Sequence, residues 1–165
     1  MSTGLRCAGL ESDLRRIRSV ADYQFGKGTG EKLFPDDVTI EYSKGTGRIR
    51  YIYLNGKRLA TMRPTDGLFS LSITGAKQIV ENAPSTKYFV TIRNDVSEFI
   101  ADGGDVFAAH VVEVDDEVRA KDEVIVVDET GKVLAVGRAV LSSDEMQAFK
   151  SGVAVRVRRG VEEES

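Results

Sequence analysis

The 165-residue chain predicts an α+β fold in two parts. A small N-terminal α/β domain holds an antiparallel sheet, and the second half is a small β-barrel or sandwich plugged by helices. Three observations predict this. Short alternations of apolar and polar residues recur along the chain, bounded by turn residues, as strands require. Apolar residues at helical spacing are confined to a few segments. Charge divides the chain at Pro84-Ser85-Thr86: residues 1–86 hold 13 Lys and Arg against 9 Asp and Glu, and residues 87–165 hold 10 against 17. The expected domains are therefore 1–84 and 87–161, with an acidic tail at 162–165.

Leu10, Leu14, Ile17 and Ala21 recur at helical spacing and predict an amphipathic helix over residues 10–22. Gly26, Gly28 and Gly30 end it. Their spacing is not read as a phosphate loop, because such a loop follows a strand and opens a helix. Val38–Tyr42 alternates as a strand, and so does Arg48–Leu54. Asn55-Gly56 then signals a two-residue hairpin turn, with the return strand from Lys57 to Arg63. The turn sets a register that places Ile49, Tyr51, Tyr53, Ala60 and Met62 on the core face. Arg48, Arg50, Lys57 and Arg63 share the other face with Ile52 and Leu59. Arg48 then opposes Arg63, a like-charge pair that an anion would relieve. A helix over Gly75–Glu81 closes this half.

The second half opens with a strand, Tyr88–Arg93. A short helix follows, with Asn94 as N-cap, Val96, Phe99 and Ile100 facing inward, and Gly103-Gly104 as its stop. Strands are expected at Val106–Val114, Glu123–Val127 and Val133–Leu141. Ser142-Ser-Asp-Glu145 is a capping box that opens a helix through Met146 and Phe149. The last strand places Val153, Val155 and Val157 on one face, and Ala154, Arg156 and Arg158 on the other. A frayed end follows at Glu162–Glu164.

Composition excludes several classes. Hydrophobic residues at 41% and charged residues at 30% fit a packed core. No apolar run nears the roughly 18 residues of a membrane span and no signal segment is present, so a cytoplasmic protein without membrane contact is expected. One Cys and one His build neither a disulfide nor a Cys/His zinc site. His110 is the one candidate base and reads as a structural hydrogen-bonder. Cys7 has no partner motif, and the acidic cluster from Asp115 to Glu123 reads as a solvated turn. No catalytic residue, metal or cofactor is expected. The net charge of −3 argues against nucleic acid only as an average, since Tyr42–Thr65 carries six basic residues and no acid. That stretch points to phosphate, with Lys44, Arg48, Arg50, Lys57 and Arg63 as candidate contacts.

Residues Lys87–Val161 closely resemble a PUA domain, an RNA-binding β pseudo-barrel. The carrying residues are Phe99-Ile100-Ala-Asp-Gly103-Gly104-Asp-Val106-Phe107-Ala-Ala-His110-Val111-Val112, Asp122-Glu123-Val124, Ala135-Val-Gly137-Arg138-Ala139 and Gly152-Val-Ala-Val-Arg156-Val-Arg158. Lys121 departs from the pattern, in which glycine is common. The first half is similar to the domain that precedes the PUA module in archaeal archaeosine tRNA-guanine transglycosylases. It carries Asp22-Tyr23-Gln24-Phe25-Gly26, Leu33-Phe34-Pro35, Ser43 with Thr46-Gly47-Arg48-Ile49-Arg50, and Arg63-Pro64-Thr65-Asp66-Gly67-Leu68-Phe69. That family's aspartate nucleophile and zinc site belong to a catalytic barrel outside this region.

The resemblance implies contact with structured RNA, tRNA above all, in connection with RNA modification. It implies Gly103, Gly104 and Phe107 beside Arg156 and Arg158 as the contact surface. A plain helix C-cap explains the glycines equally well. The leading expectation is a non-catalytic RNA-binding protein. The alternatives are an accessory subunit for a separately encoded transferase, and a module whose acidic half binds protein.

Overall fold

The computed structural model of the chain describes residues 4–83 and 87–164, and side chains from residue 11 to 163 within them. The expected linker Pro84–Thr86, the side chain of Cys7 and Ser165 lie outside the described residues. The N-terminal half runs α1 (Gly4–Phe25), α2 (Thr29–Leu33), β1 (Thr39–Tyr42), β2 (Ile49–Leu54), β3 (Lys57–Met62), β4 (Phe69–Leu71) and α3 (Ile73–Asn82). Its strands form one antiparallel sheet in the order β1-β2-β3-β4. The helix expected over 10–22 is longer at both ends. The glycine break contains α2, and the Asp22 carboxylate accepts from the N–H groups of Gly28 and Gly30 at 3.2 and 2.6 Å. An acid thus sits where a phosphate loop would hold its anion. Ser72 caps α3, its hydroxyl accepting from the N–H of Gly75 at 2.9 Å.

The second half runs β5 (Phe89–Ile92), α4 (Ser97–Ala101), β6 (Val106–Phe107), β7 (Val111–Val114), β8 (Glu123–Val127), β9 (Val133–Ala139), α5 (Ser143–Ala148) and β10 (Val153–Gly160). These strands make a six-stranded sheet in the order β6-β10-β9-β8-β5-β7, antiparallel except for β5 beside β8. The strand expected over Val106–Val114 is broken by a 3-10 turn at Ala108–His110. The reason is topological. β6 pairs with β10 at one edge and β7 with β5 at the other, so the chain must turn a corner to close the pseudo-barrel. Asn94 is not a helix cap: a 3-10 turn at Asn94–Val96 precedes α4, and the Asn94 side chain accepts from the N–H of Glu129 at 3.0 Å. The capping box at Ser142 and Glu145 forms as expected. The tail is not frayed at its start, since Val161–Glu164 forms a 3-10 turn and Glu163 accepts from the N–H of Gly160 at 2.7 Å.

Two hydrophobic cores result. One fills the barrel, with Val90, Ile100, Val124, Val126, Leu134 and Val155. The other joins the halves: Ile17, Phe25, Phe34, Ile52, Leu59, Phe69 and Ile79 pack with Ile125, Val127, Val133 and Val136 of the barrel's outer face. β8 is therefore buried on both faces, which explains its unbroken apolar run Val124–Val127.

A polar clamp closes the same junction. Glu123 is 2% exposed and receives both terminal nitrogens of Arg158, one at 2.9 Å and one shorter. Its Oε2 also accepts from the N–H of Leu71 at 2.7 Å, and Arg158 donates to the carbonyl of Leu71 at 2.7 Å. The two side chains thus satisfy Leu71 on the outer edge of β4, where the Gln24 amide does the same for Phe69.

Removing one partner strands the other as a buried charge. Arg158→Met is expected to lower stability by about 3–5 kcal/mol. Adding Glu123→Gln, whose amide oxygen still accepts from Leu71, recovers part of that loss. Urea denaturation of the single and double variants measures both. An Arg158→Met protein as stable as the wild type would show that the clamp contributes nothing.

Candidate nucleic-acid interface

The hairpin turns at Asn55 and Gly56 with φ of 52° and 79°, the left-handed pair that a two-residue turn demands. From there the register departs from expectation. Leu54 opposes Lys57 and Tyr53 opposes Arg58, but Ile52 opposes Ala60, so Leu59 is an extra residue on β3. Glu41 opposes Tyr51 while Tyr42 opposes Ile49, so Arg50 is an extra residue on β2. Each bulge reverses the phase of alternation. Ile49, Ala60 and Met62 are buried as expected, but Ile52 and Leu59 are also fully buried, and Tyr51 and Tyr53 are only half-buried. The two tyrosines leave the core face and join Arg50 and Arg58 on the open one. The guanidinium carbons of Arg50 and Arg58 lie 5.5 and 5.7 Å from the Tyr51 ring centre.

Among the expected contacts of this half, Lys44, Arg48 and Lys57 are exposed and Arg50 is half-buried. Arg63 is different. Its side chain is 14% exposed and pairs with Asp66 at 3.2 Å, so Arg48 and Arg63 do not face each other across the ladder. A cleft of about 430 Å³ at the start of α3 adds Lys57, Arg58 and Lys77, with the hydroxyls of Ser72 and Thr74.

In the barrel half, Gly103 ends α4 with φ of 104°, a conformation costly for any other residue. A Cβ there would lie 2.7 Å from a carboxylate oxygen of Glu163. An acid therefore covers the turn where a phosphate was expected to approach. A Cβ on Gly104 would lie 2.4 Å from the Phe99 ring, which folds back over the turn and stays 51% exposed. That corrects the inward placement of Phe99: only Ile100 and Val96 face the core. Phe107 is 38% exposed, and the His110 ring stands edge-on to it at 5.4 Å and to Phe99 at 6.5 Å. His110 Nδ1 accepts from the N–H of Phe107 at 3.2 Å. It is a positioning residue in an exposed aromatic cluster.

Arg156 and Arg158 both lie on β10, yet their roles diverge. Arg158 is committed to Glu123 and Leu71, so its fork holds the junction together and is not open to a ligand. Arg156 is exposed and stands directly opposite Arg138 on β9. Like charges in that position repel. Neither forms an ion pair among the described residues, but Arg138 also stands opposite Glu123 on β8 and shares a pocket with Asp66 and Asp122. Arg138 also reaches the carbonyl of Lys121 at 3.4 Å, where Lys121 itself adopts a φ of 79° in the turn that departs from the glycine pattern. Arg138, Lys121, Arg58 and Lys77 were outside the expected site. Strand alternation alone exposes Arg138, but only the pairing of β9 with β10 brings it to Arg156.

Residues 15–85 match the family model described as the patch-forming domain C2 of tRNA-guanine transglycosylase, and residues 88–161 match the PUA domain. The chain thus matches two family models in tandem, the C2 patch-forming domain ahead of the PUA domain. Its particular likeness is to the C-terminal region of tRNA-guanine(15) transglycosylases. It is 42% identical over 148 residues to the one from Methanothermobacter thermautotrophicus, covering 90% of this chain and 23% of the relative. To the one from Pyrococcus furiosus it is 44% identical over 153 residues, covering 93% and 26%. The chain thus spans about a quarter of the length of these curated relatives. A hypothetical protein from Pyrococcus horikoshii superposes with a TM-score of 0.71 at 24% identity over 90% of both chains. A conserved PUA domain protein from Thermoplasma acidophilum gives 0.65 at 23% identity, covering 92% of this chain and 89% of that one. Both share the fold. No helix among the described residues is long and apolar enough to cross a membrane.

Burial, followed by the nearby Arg93, lowers the pKa of His110 below its ordinary 6.5. A base with a depressed folded pKa is neutral at pH 7, and its contribution to stability is lost as pH falls below 6.5. Titration of the single imidazole by NMR should give a midpoint below 6.5, with thermal stability declining through the same acid range. A midpoint at or above 6.5 would contradict the burial of the ring and the influence of Arg93 as the forces that set its protonation.

Proposed function

We propose that this chain is a non-catalytic binder of structured RNA, tRNA above all, acting in connection with RNA modification. The observation that carries the reading is the unpaired cross-strand couple Arg138 and Arg156. Arg138 has Glu123 as its other cross-strand neighbour and shares a pocket with Asp66, whereas Arg156 has no acid within ion-pair distance among the described residues, and a phosphate bridges two such guanidiniums with bidentate geometry. The exposed Phe99 and Phe107 offer stacking surface in the same half. Lys44, Arg48, Arg50, Lys57, Arg58 and Lys77 supply a second basic region, able to track a backbone. The likeness to enzymes named for a tRNA substrate supports the choice of RNA. Gly103, Gly104, Arg63 and Arg158 hold structure in this reading and are not assigned as contacts.

Arg138→Gln with Arg156→Gln separates function from stability. The double variant should stay within about 0.5 kcal/mol of the wild type in stability, because the lost repulsion between the arginines is offset by the lost attraction of Arg138 to Asp66 and Glu123. Its affinity for tRNA should fall about ten-fold at roughly 50 mM salt, with a salt slope shallower by about two. A mobility-shift titration against salt measures the affinity. Wild-type protein that shifts no tRNA at low salt would sink the reading, as would a variant that binds unchanged.

A second reading keeps these contacts and places them in the service of a transferase. The 42% identity to a tRNA-guanine(15) transglycosylase favours it. Co-purification of a transglycosylase catalytic subunit with the tagged chain from source cells would support a role as accessory subunit, and recovery of none counts against it.

A further inference from the structure

We propose that the open face of the N-terminal sheet is a stacking platform for unpaired nucleotides, with Tyr51 and Tyr53 as its rings. The inference rests on the RNA-binding reading and deepens it, since it names the conformation of RNA that this half takes. The sheet is one-sided. Its buried side, through Ile52, Leu59 and Ala60, packs with residues of α1 and α3. Its other side carries Tyr51 and Tyr53 with ring centres 6.3 Å apart. The same bulges that carry these rings away from the core bring Arg50 beside Tyr51, and the register places Arg58 opposite Tyr53. Thr61 opposes Tyr51 and Ser70 opposes Thr61, adding hydroxyls beyond the rings. Glu41, also opposite Tyr51, is the acid on the face.

This combination selects its occupant. Adjacent arginines, Arg58 exposed and Arg50 half-buried, call for an anionic partner, and half-buried rings on an open sheet face call for a planar one. In a duplex the bases are already stacked on each other and their faces are closed to protein. Unpaired bases can lie on tyrosine rings or on guanidinium planes while the arginines meet the flanking phosphates. A basic surface for duplex phosphates alone would not require aromatic rings between its cations. The platform therefore takes a loop, a bulge or a free end, and the barrel half holds the structured part of the same RNA.

The test uses the full chain and three fluorescent probes: an oligouridylate dodecamer, an abasic dodecamer of equal charge, and tRNA. The uridylate should bind, and Tyr51→Leu or Tyr53→Leu should weaken it about ten-fold, the loss of roughly one stacked base. Tyr51→Phe, which keeps the ring, should stay within about two-fold of the wild type and guards against a folding artefact. The abasic strand should bind more weakly and ignore the tyrosine changes. Equal affinity for abasic and uridylate strands would reduce the face to a general anion surface and overturn the proposal. Leucine variants that bind uridylate like the wild type would overturn it too. If tRNA binds and the dodecamer does not, the platform fails alone. If neither binds at low salt, the RNA-binding reading fails with it.

Discussion

The buried carboxylate of Glu123 is the constraint around which this molecule is arranged. A carboxylate taken out of water needs a cation and further donors, and it finds both across the domain junction. Arg158 comes from the last strand of the barrel, and the N–H of Leu71 comes from the edge strand of the other half. Three distant parts of the chain thereby meet at one group. The apolar packing around it follows the same geometry, with Ile125 and Val136 of the barrel joining Ile17, Ile52 and Phe69 in a shared core. The two halves are separate in sequence likeness but not in physical terms, because neither could expose that face to water without cost.

The clamp also settles which arginine of β10 is available to a ligand. Arg156 and Arg158 lie two residues apart, and the sequence does not distinguish them, but Arg156 sits in regular pairing while Arg158 is the extra residue of a bulge on β10. One meets a buried acid and the other meets Arg138, a second cation. The first arrangement stabilises the fold, and the second leaves Arg156 facing a cation whose other neighbours, Glu123 and Asp66, are acids. Repulsion retained at an exposed position is a physical reason to look for an anion there, independent of any family likeness.

Bulges perform the corresponding selection in the other half. Extra residues at Arg50 and Leu59 each reverse the alternation of the hairpin. Leu59 and Ala60 can then both enter the core, while Tyr51 and Tyr53 stay with the arginines. The net charge of −3 is consistent with this once it is resolved by region, since the basic residues concentrate on the hairpin and on one pair of barrel strands.

By itself the sequence determined the α+β class, the hairpin at Asn55-Gly56, the helix opened by Ser142, the end of α4 at Gly103 and the likeness to a PUA domain. These depend on turn chemistry, caps and alternation, which act over a few neighbouring residues. The acid-free basic stretch was equally legible, as a property of composition. Only the tertiary structure decided which face of the hairpin is buried, because a single bulged residue inverts a period of two and leaves no mark in the pattern. Only the structure set Arg63 against Asp66 and Arg158 against Glu123, and Arg138 opposite Arg156. Those pairings join residues far apart in the chain, and no local spacing encodes which cation meets an acid and which meets another cation.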